Sequence, residues 1–260
     1  MKIIPTYNVL EDVLKIAIIS DVHSNLEALQ EVLADITRQK TEHIFCLGDI
    51  VGYGANPREC LILIMHCCNQ IIRGNHEEGV IFLEFAKIHL NDLAYAGVRY
   101  SRKILHKKER TFLRTLPKHI VFHGMRITLA HGAYTESFKY LDEEEKAFEE
   151  LKYTPTKLTF VGHTHVPFVF GSDDGLIECL PDNLDLNGEQ KYLINVGSVG
   201  QPRDGDCRAS YGLLDINGEA GKETYRFTLN RVFYNIQKTQ DAMRKARLPL
   251  ALSERLFRGE

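Results

Sequence analysis

Residues 161–167 read VGHTHVP, with two histidines two positions apart after the apolar run KLTFV (157–161). That run is β-branched and aromatic enough to form a buried strand. Side chains two apart on a strand share one face, so His163 and His165 are expected to point the same way at the strand's mouth, as a metal-chelating pair of imidazoles. The plainer alternative is that one caps the strand and the other is solvated. The other apolar runs weigh against it: Asp21 and His23 follow KIAIIS (15–20), Asp49 follows HIFCLG (43–48), Asn75 and His76 follow QIIRG (70–74), and His131 follows RITLA (126–130). Open α/β sheets bind ligands beyond the carboxyl ends of their strands. Taken singly, each residue has an ordinary use as a cap, a turn or a structural histidine, but those uses predict no common location.

The elements that must position these side chains are legible as periods. After the first strand, Leu26, Leu29, Val32, Leu33 and Ile36 recur at helical spacing, with Asn25 as the cap. Asn56, Pro57 and Glu59 mark a second helix start, and QIIRG supplies a third strand. This β-α-β-α-β order predicts a parallel sheet with right-handed crossovers. Residues 77–116 read as largely helical, stopping at Pro117. The second half changes to strands: two around Gly124 (119–130), a hairpin around Asp174 and Gly175 (168–180), and runs at 191–195, 210–216 and 224–234. A closing helix is expected over 236–247, and the acidic run 142–146 reads as a solvated helix start. The apolar helical face of ARLPLALSERLFRG (246–259) could pack on the domain or on a partner. One domain over 1–260 is expected, with residues 1–14 an extension ahead of the first core strand.

Composition limits the function classes. A 260-residue chain with 44% apolar residues can bury a large core, and a formal charge of −3 without a basic stripe gives no support for a nucleic-acid-coating protein. No apolar run approaches a membrane span and no secretory leader pattern is evident, so a cytoplasmic location is expected. Six cysteines lack C-x-x-C spacing and read as reduced, packed thiols. His43, His66, His89, His106, His119 and His123 fit no motif.

The ordered blocks D-x-H (21–23), G-D (48–49), G-N-H-E (74–77), H-G (131–132) and G-H-x-H (162–165) resemble the calcineurin-like metallophosphoesterase superfamily. The resemblance continues into NVGSVGQPRDGD (195–206), as in small prokaryotic phosphodiesterase-like members, although Val196 stands where many relatives carry proline. It implies a four-layer α/β/β/α sandwich of two mixed sheets flanked by helices. It also implies two divalent or trivalent transition-metal ions, manganese, iron, zinc or nickel. Asp21, His23, Asp49 and His165 would hold one ion; Asp49, Asn75, His131 and His163 would hold the other. This donor set of imidazole and carboxylate without thiolate suits such ions.

The implied reaction is hydrolysis of a small phosphate ester by in-line attack of a metal-activated hydroxide, as a phosphodiesterase or phosphatase. His76 matches the family's catalytic histidine as general acid, Glu77 could orient it by accepting a hydrogen bond, and Arg203 could clamp a phosphate oxygen. The competing expectations are a phosphoprotein phosphatase and a non-catalytic scaffold on the same fold. The scaffold precedent, the family's retromer subunit, lacks the catalytic histidine, whereas His76 is present here. The oligomeric state is not readable from the sequence.

Overall fold

Strand β1 (Leu14–Ile19) divides its side chains between two apolar clusters: Ile16 and Ile18 enter one, Ala17 and Ile19 the other. That period-two division places β1 inside a sheet buried on both faces. The structure is a computed structural model and describes residues 13–41, 43–177, 183–186, 188–218 and 222–260.

The first sheet runs β3 (Gln70–Ile71), β2 (His43–Cys46), β1, β11 (Ala209–Asn217), β12 (Thr224–Val232) and β9 (Leu184–Asp185). Strands β1, β2 and β3 are parallel, and β11 returns antiparallel to β1 with Ile18 opposite Gly212. Helices α1 (Leu26–Arg38) and α2 (Pro57–Cys67) make the crossovers. Asn25 caps α1, accepting from the Ala28 N–H at 3.1 Å; Asn56 precedes α2 without a side-chain cap bond. The second sheet runs β4 (His119–Phe122), β5 (Ile127–Ala130), β6 (Leu158–Val161), β10 (Tyr192–Asn195), β7 (Phe168–Gly171) and β8 (Gly175–Ile177), with β5, β6 and β10 parallel.

Three apolar clusters define four layers. Ile16, Ile18, Phe45, Phe160, Ile194 and Phe227 fill the space between the sheets. The first sheet's outer face packs on α1, α2 and the run α3 (Asn75–Ile81), α4 (Leu83–His89), α5 (Asp92–Ile104) and α6 (Lys107–Thr115). The second sheet's outer face packs on α7 (Glu144–Tyr153) through Leu151, Val161 and Leu193. This is the expected α/β/β/α sandwich of two mixed sheets.

Several expectations shift in detail. The first strand takes in Leu14, so the N-terminal extension is shorter than residues 1–14; residues 1–12 lie outside the described residues, as do the last three of the 168–180 hairpin. The two strands around Gly124 are joined by a 3-10 turn, His123–Met125, with Arg126 left-handed at its end. Strand β9 is too short to carry a period. The C-terminal segment packs on the domain: α8 (Ile236–Lys245) and α9 (Leu250–Glu254) bring Met243, Leu248, Leu252 and Leu256 into a cluster with Tyr53. No described helix is long and apolar enough to cross a membrane.

Candidate metal centre

The carboxyl ends of β1, β2, β5 and β6 converge, and the loops leaving them turn sharply. Of the eleven described non-glycine residues with left-handed backbone, seven (Asp21, His23, Ser24, Asp49, Tyr53, His163 and His165) lie here. Such conformations are unfavourable for side-chain-bearing residues and persist where the surroundings over-determine them. The fixing bonds are visible. Asp21 N–H donates to Gly48 O, His23 N–H to Asp49 O and Gly162 N–H to His131 O, so each loop holds the next.

Each carboxylate is split between structure and site. Asp21 Oδ2 accepts the His163 N–H at 3.0 Å, and its Oδ1 is buried without a hydrogen-bond donor. Asp49 Oδ1 accepts the His76 N–H at 2.9 Å, while Oδ2 faces His131, His23 and His76 Nε2 at 3.3, 3.7 and 3.8 Å.

The imidazoles are oriented the same way. Nδ1 of His23, His131 and His165 points at the carbonyls of Val51, Leu47 and Gln201 at 3.1, 2.8 and 2.6 Å. Carbonyls only accept, so these nitrogens carry the proton, and in the neutral ring Nε2 is left as a lone pair aimed inward. His23 and His165 Nε2 then face each other at 3.0 Å, and His131 Nε2 faces Asn75 Oδ1 at the same distance. His163 Nε2 is also buried without a partner.

The result is a buried set of acceptors with few protons among them. Burial opposes charge on Asp21 and Asp49, yet the histidines hold both carboxyls well below their usual range. Burial also pushes His23 and His165 down, His163 to about 3 and His76 to about 4. For His131 burial is outweighed by Asp49, which drives it up to about 10, so this one Nε2 keeps a proton against Asp49 that a bound ion would displace. A converging group of lone pairs and carboxylate oxygens in a dry site calls for a cation. Three groups have ligand atoms within 4.8 Å of one another: Asp21, His23 and His165; His23, Asp49 and His76; Asp49, His131 and His163. The donor set therefore fits transition-metal ions, with its imidazoles already oriented by backbone carbonyls.

A comparison with known families agrees with the geometry. Residues 14–219 match the calcineurin-like phosphoesterase superfamily domain. The chain belongs to that superfamily. It is 39% identical to the uncharacterized protein MJ0912 of Methanocaldococcus jannaschii over 250 residues, covering 94% of this chain and 98% of that one. It is 36% identical to a metallophosphoesterase from Sphaerobacter thermophilus whose crystal structure superposes with a TM-score of 0.82, over 96% of this chain and 100% of the other. A hypothetical protein of Pyrococcus horikoshii, PH1004, shares the fold (TM-score 0.76, 19% identity, 95% and 98% covered).

Within this calcineurin-like site, the structure brings Asp21, His23, Asp49, Asn75, His76, His131, His163 and His165 together, with two corrections of detail. His163 and His165 do not share a strand face. β6 ends at Val161, and both histidines lie beyond it with φ of 67° and 63°, His163 grouping with His131 and Asp49, His165 with His23 and Asp21. Glu77 does not hold His76: its buried carboxylate accepts from the backbone N–H groups of Asp49, Gly74 and Val51 at 2.7, 2.9 and 3.1 Å. Burial and Asp49 push it up to about 7.

Arg203 stands at the rim, half-buried, donating to Gln201 Oε1 at 3.1 Å and Tyr53 Oη at 3.4 Å. Two aromatic neighbours were not foreseen. The Tyr53 ring packs on both His23 and His76 at 4.6 Å, and Tyr140 stacks on His163 at 3.9 Å. The one legible signal for Tyr53 is its flanking glycines, which have no room for a Cβ: at Gly52 it would meet His76 Nδ1, at Gly54 the His23 carbonyl oxygen.

Proposed function

We propose that this phosphoesterase-superfamily chain hydrolyses small phosphate esters, diesters or monoesters, in a centre holding two transition-metal ions. Asp21, His23 and His165 would hold one, Asn75, His131 and His163 the other, and Asp49 both. The observation that supports this is the converging donor set: Nε2 atoms of His23, His131 and His165, oriented by backbone carbonyls, face one another, Asn75 and two carboxylates. Bound ions would supply Lewis acidity at the phosphoryl group and at the attacking water.

The chain's own residues account for the rest. His76 is buried at the centre with Nε2 directed toward Asp49, positioned to give the leaving oxygen a hydrogen bond, and to protonate it where a bound substrate's negative charge raises the ring from its low resting value. Arg203 supplies charge beside His76 and His165, where phosphoryl oxygens would lie. Next to Tyr140 a cleft of about 370 Å³, lined by Leu141, Val166, Phe168 and Leu176, is mainly apolar and suits an organic leaving group.

The test uses protein stripped with chelator and reloaded with manganese, assayed on p-nitrophenyl diester and monoester and on an alkyl ester. Manganese-dependent turnover is expected. His76→Ala should lose about 10²- to 10⁴-fold on the alkyl ester and much less on nitrophenyl esters, whose leaving group needs little protonation. Folded, metal-loaded protein that turns over none of the three would overturn the proposal in favour of a binding or scaffold role.

A further inference from the structure

Beyond the metal ligands, the Tyr53 ring carries a second guanidinium. Arg203 lies 5.8 Å from the ring centroid and Arg255, from the C-terminal 3-10 turn (Arg255–Phe257), lies 4.7 Å from it. The same ring touches His23 and His76, so both cations stand one aromatic ring from the metal centre.

Stacking explains where the Arg255 side chain lies, but not its in-plane donors. Its Nε and Nη2 are buried and find no hydrogen-bond partner among the described residues. Neither Arg255 nor Arg203 forms an ion pair with a described carboxylate, although both are half-buried. Burial and the Arg203 charge work against the Arg255 guanidinium, and Tyr53 offsets them in part. Two like charges on one ring, one of them with buried, unused donors, are unfavourable without an anion between them.

The fold holds this arrangement firmly. Leu252 and Leu256 are buried on either side of Arg255, and Gln240 Nε2 donates to Ser253 O at 2.7 Å. The Arg203 loop is tied to the same segment, Gly205 N–H donating to Gly259 O at 3.1 Å.

We infer that Arg255, with Arg203 shared between it and the metal centre, clamps a second phosphate group, so that the preferred esters carry another phosphate besides the one attacked. This rests on the proposed esterase reading for the position of the first phosphate. Planar guanidinium donors suit a phosphate dianion, which two cations can neutralise.

The experiment is calorimetric binding to manganese-loaded protein of propylphosphonate and of ethane-, propane- and butane-bridged bisphosphonates, which cannot be hydrolysed. At least one bisphosphonate should bind about tenfold or more tighter than the monophosphonate. Arg255→Met should remove that preference while leaving monophosphonate affinity within about threefold, and Arg255→Lys should keep part of it. Circular dichroism and the melting temperature establish that each variant folds; if the methionine variant does not, Arg255→Gln takes its place. No preference in the wild type, or a preference that survives loss of the guanidinium, overturns the clamp. The two readings fail separately: ester turnover without the preference sinks the clamp alone, and the preference without turnover sinks the esterase alone.

Discussion

The space between the sheets and the rim where the strands end are built on opposite rules. Between the sheets, Ile18, Phe45, Phe160 and Phe227 are almost wholly buried in regular backbone and pack in one apolar cluster. At the rim, equally buried Asp21, Asp49, His131 and His165 meet other acceptors, on backbone that is repeatedly left-handed. The first region stabilises the fold by removing apolar surface from water. The second spends some of that stability to hold charges and lone pairs in place, a common bargain at functional sites.

Substitutions can break this contrast. Phe160→Ala, between the sheets, should cost about 3–5 kcal/mol in denaturant unfolding of metal-free protein. Asp49→Asn should act on the loaded protein: loss of the stabilisation that manganese gives the wild type, about 2.7 kcal/mol at a hundredfold excess over Kd. An undiminished manganese response would show that Asp49 is not a ligand. Gly52→Ala should cost about 1–3 kcal/mol, because φ is +91° and the new methyl would meet His76 Nδ1 at 2.0 Å. Part of that cost should vanish in a His76→Ala background, and a double-mutant cycle without coupling would refute the clash. The smallest effect belongs to Asp206, whose carboxyl is held below its ordinary value by Arg208, burial opposing. A lowered folded pKa gives stability that is present above about pH 4 and lost as pH falls through the folded value. Asp206→Asn should therefore cost about 0.5 kcal/mol at pH 7, and progressively less in thermal melts as pH falls below about 4, the pair being partly solvated.

The same contrast explains what could be read from the sequence. Apolar periods mark the core strands, so β1, β2, β5, β6 and β10 are recoverable within a residue or two, and the residues after them mark the centre. The period says nothing once a strand has ended. That is why the shared-face reading of His163 and His165 fails, although both reach the centre through left-handed turns. The role of Glu77 is not legible because its partners are backbone N–H groups, which leave no trace in side-chain identity. Tyr53, Tyr140 and Arg255 were missed because tertiary packing alone brings them to the site; Arg255 is separated from Tyr53 by most of the chain.

The pairing of β1 with β11 bears on how the molecule is made. Ile18 is bonded across to the Gly212 region, and Asp21 O accepts the Ser198 hydroxyl at 2.8 Å. On a ribosome, β1 emerges early and must wait for nearly two hundred further residues before its second edge is covered. During that interval a nascent chain exposes an apolar, unpaired strand edge, the kind of surface that aggregates or recruits chaperones. His163 and His165 are likewise synthesised long after Asp21 and Asp49. A half-translated chain thus lacks part of the donor set, which is complete only once residue 165 has been made.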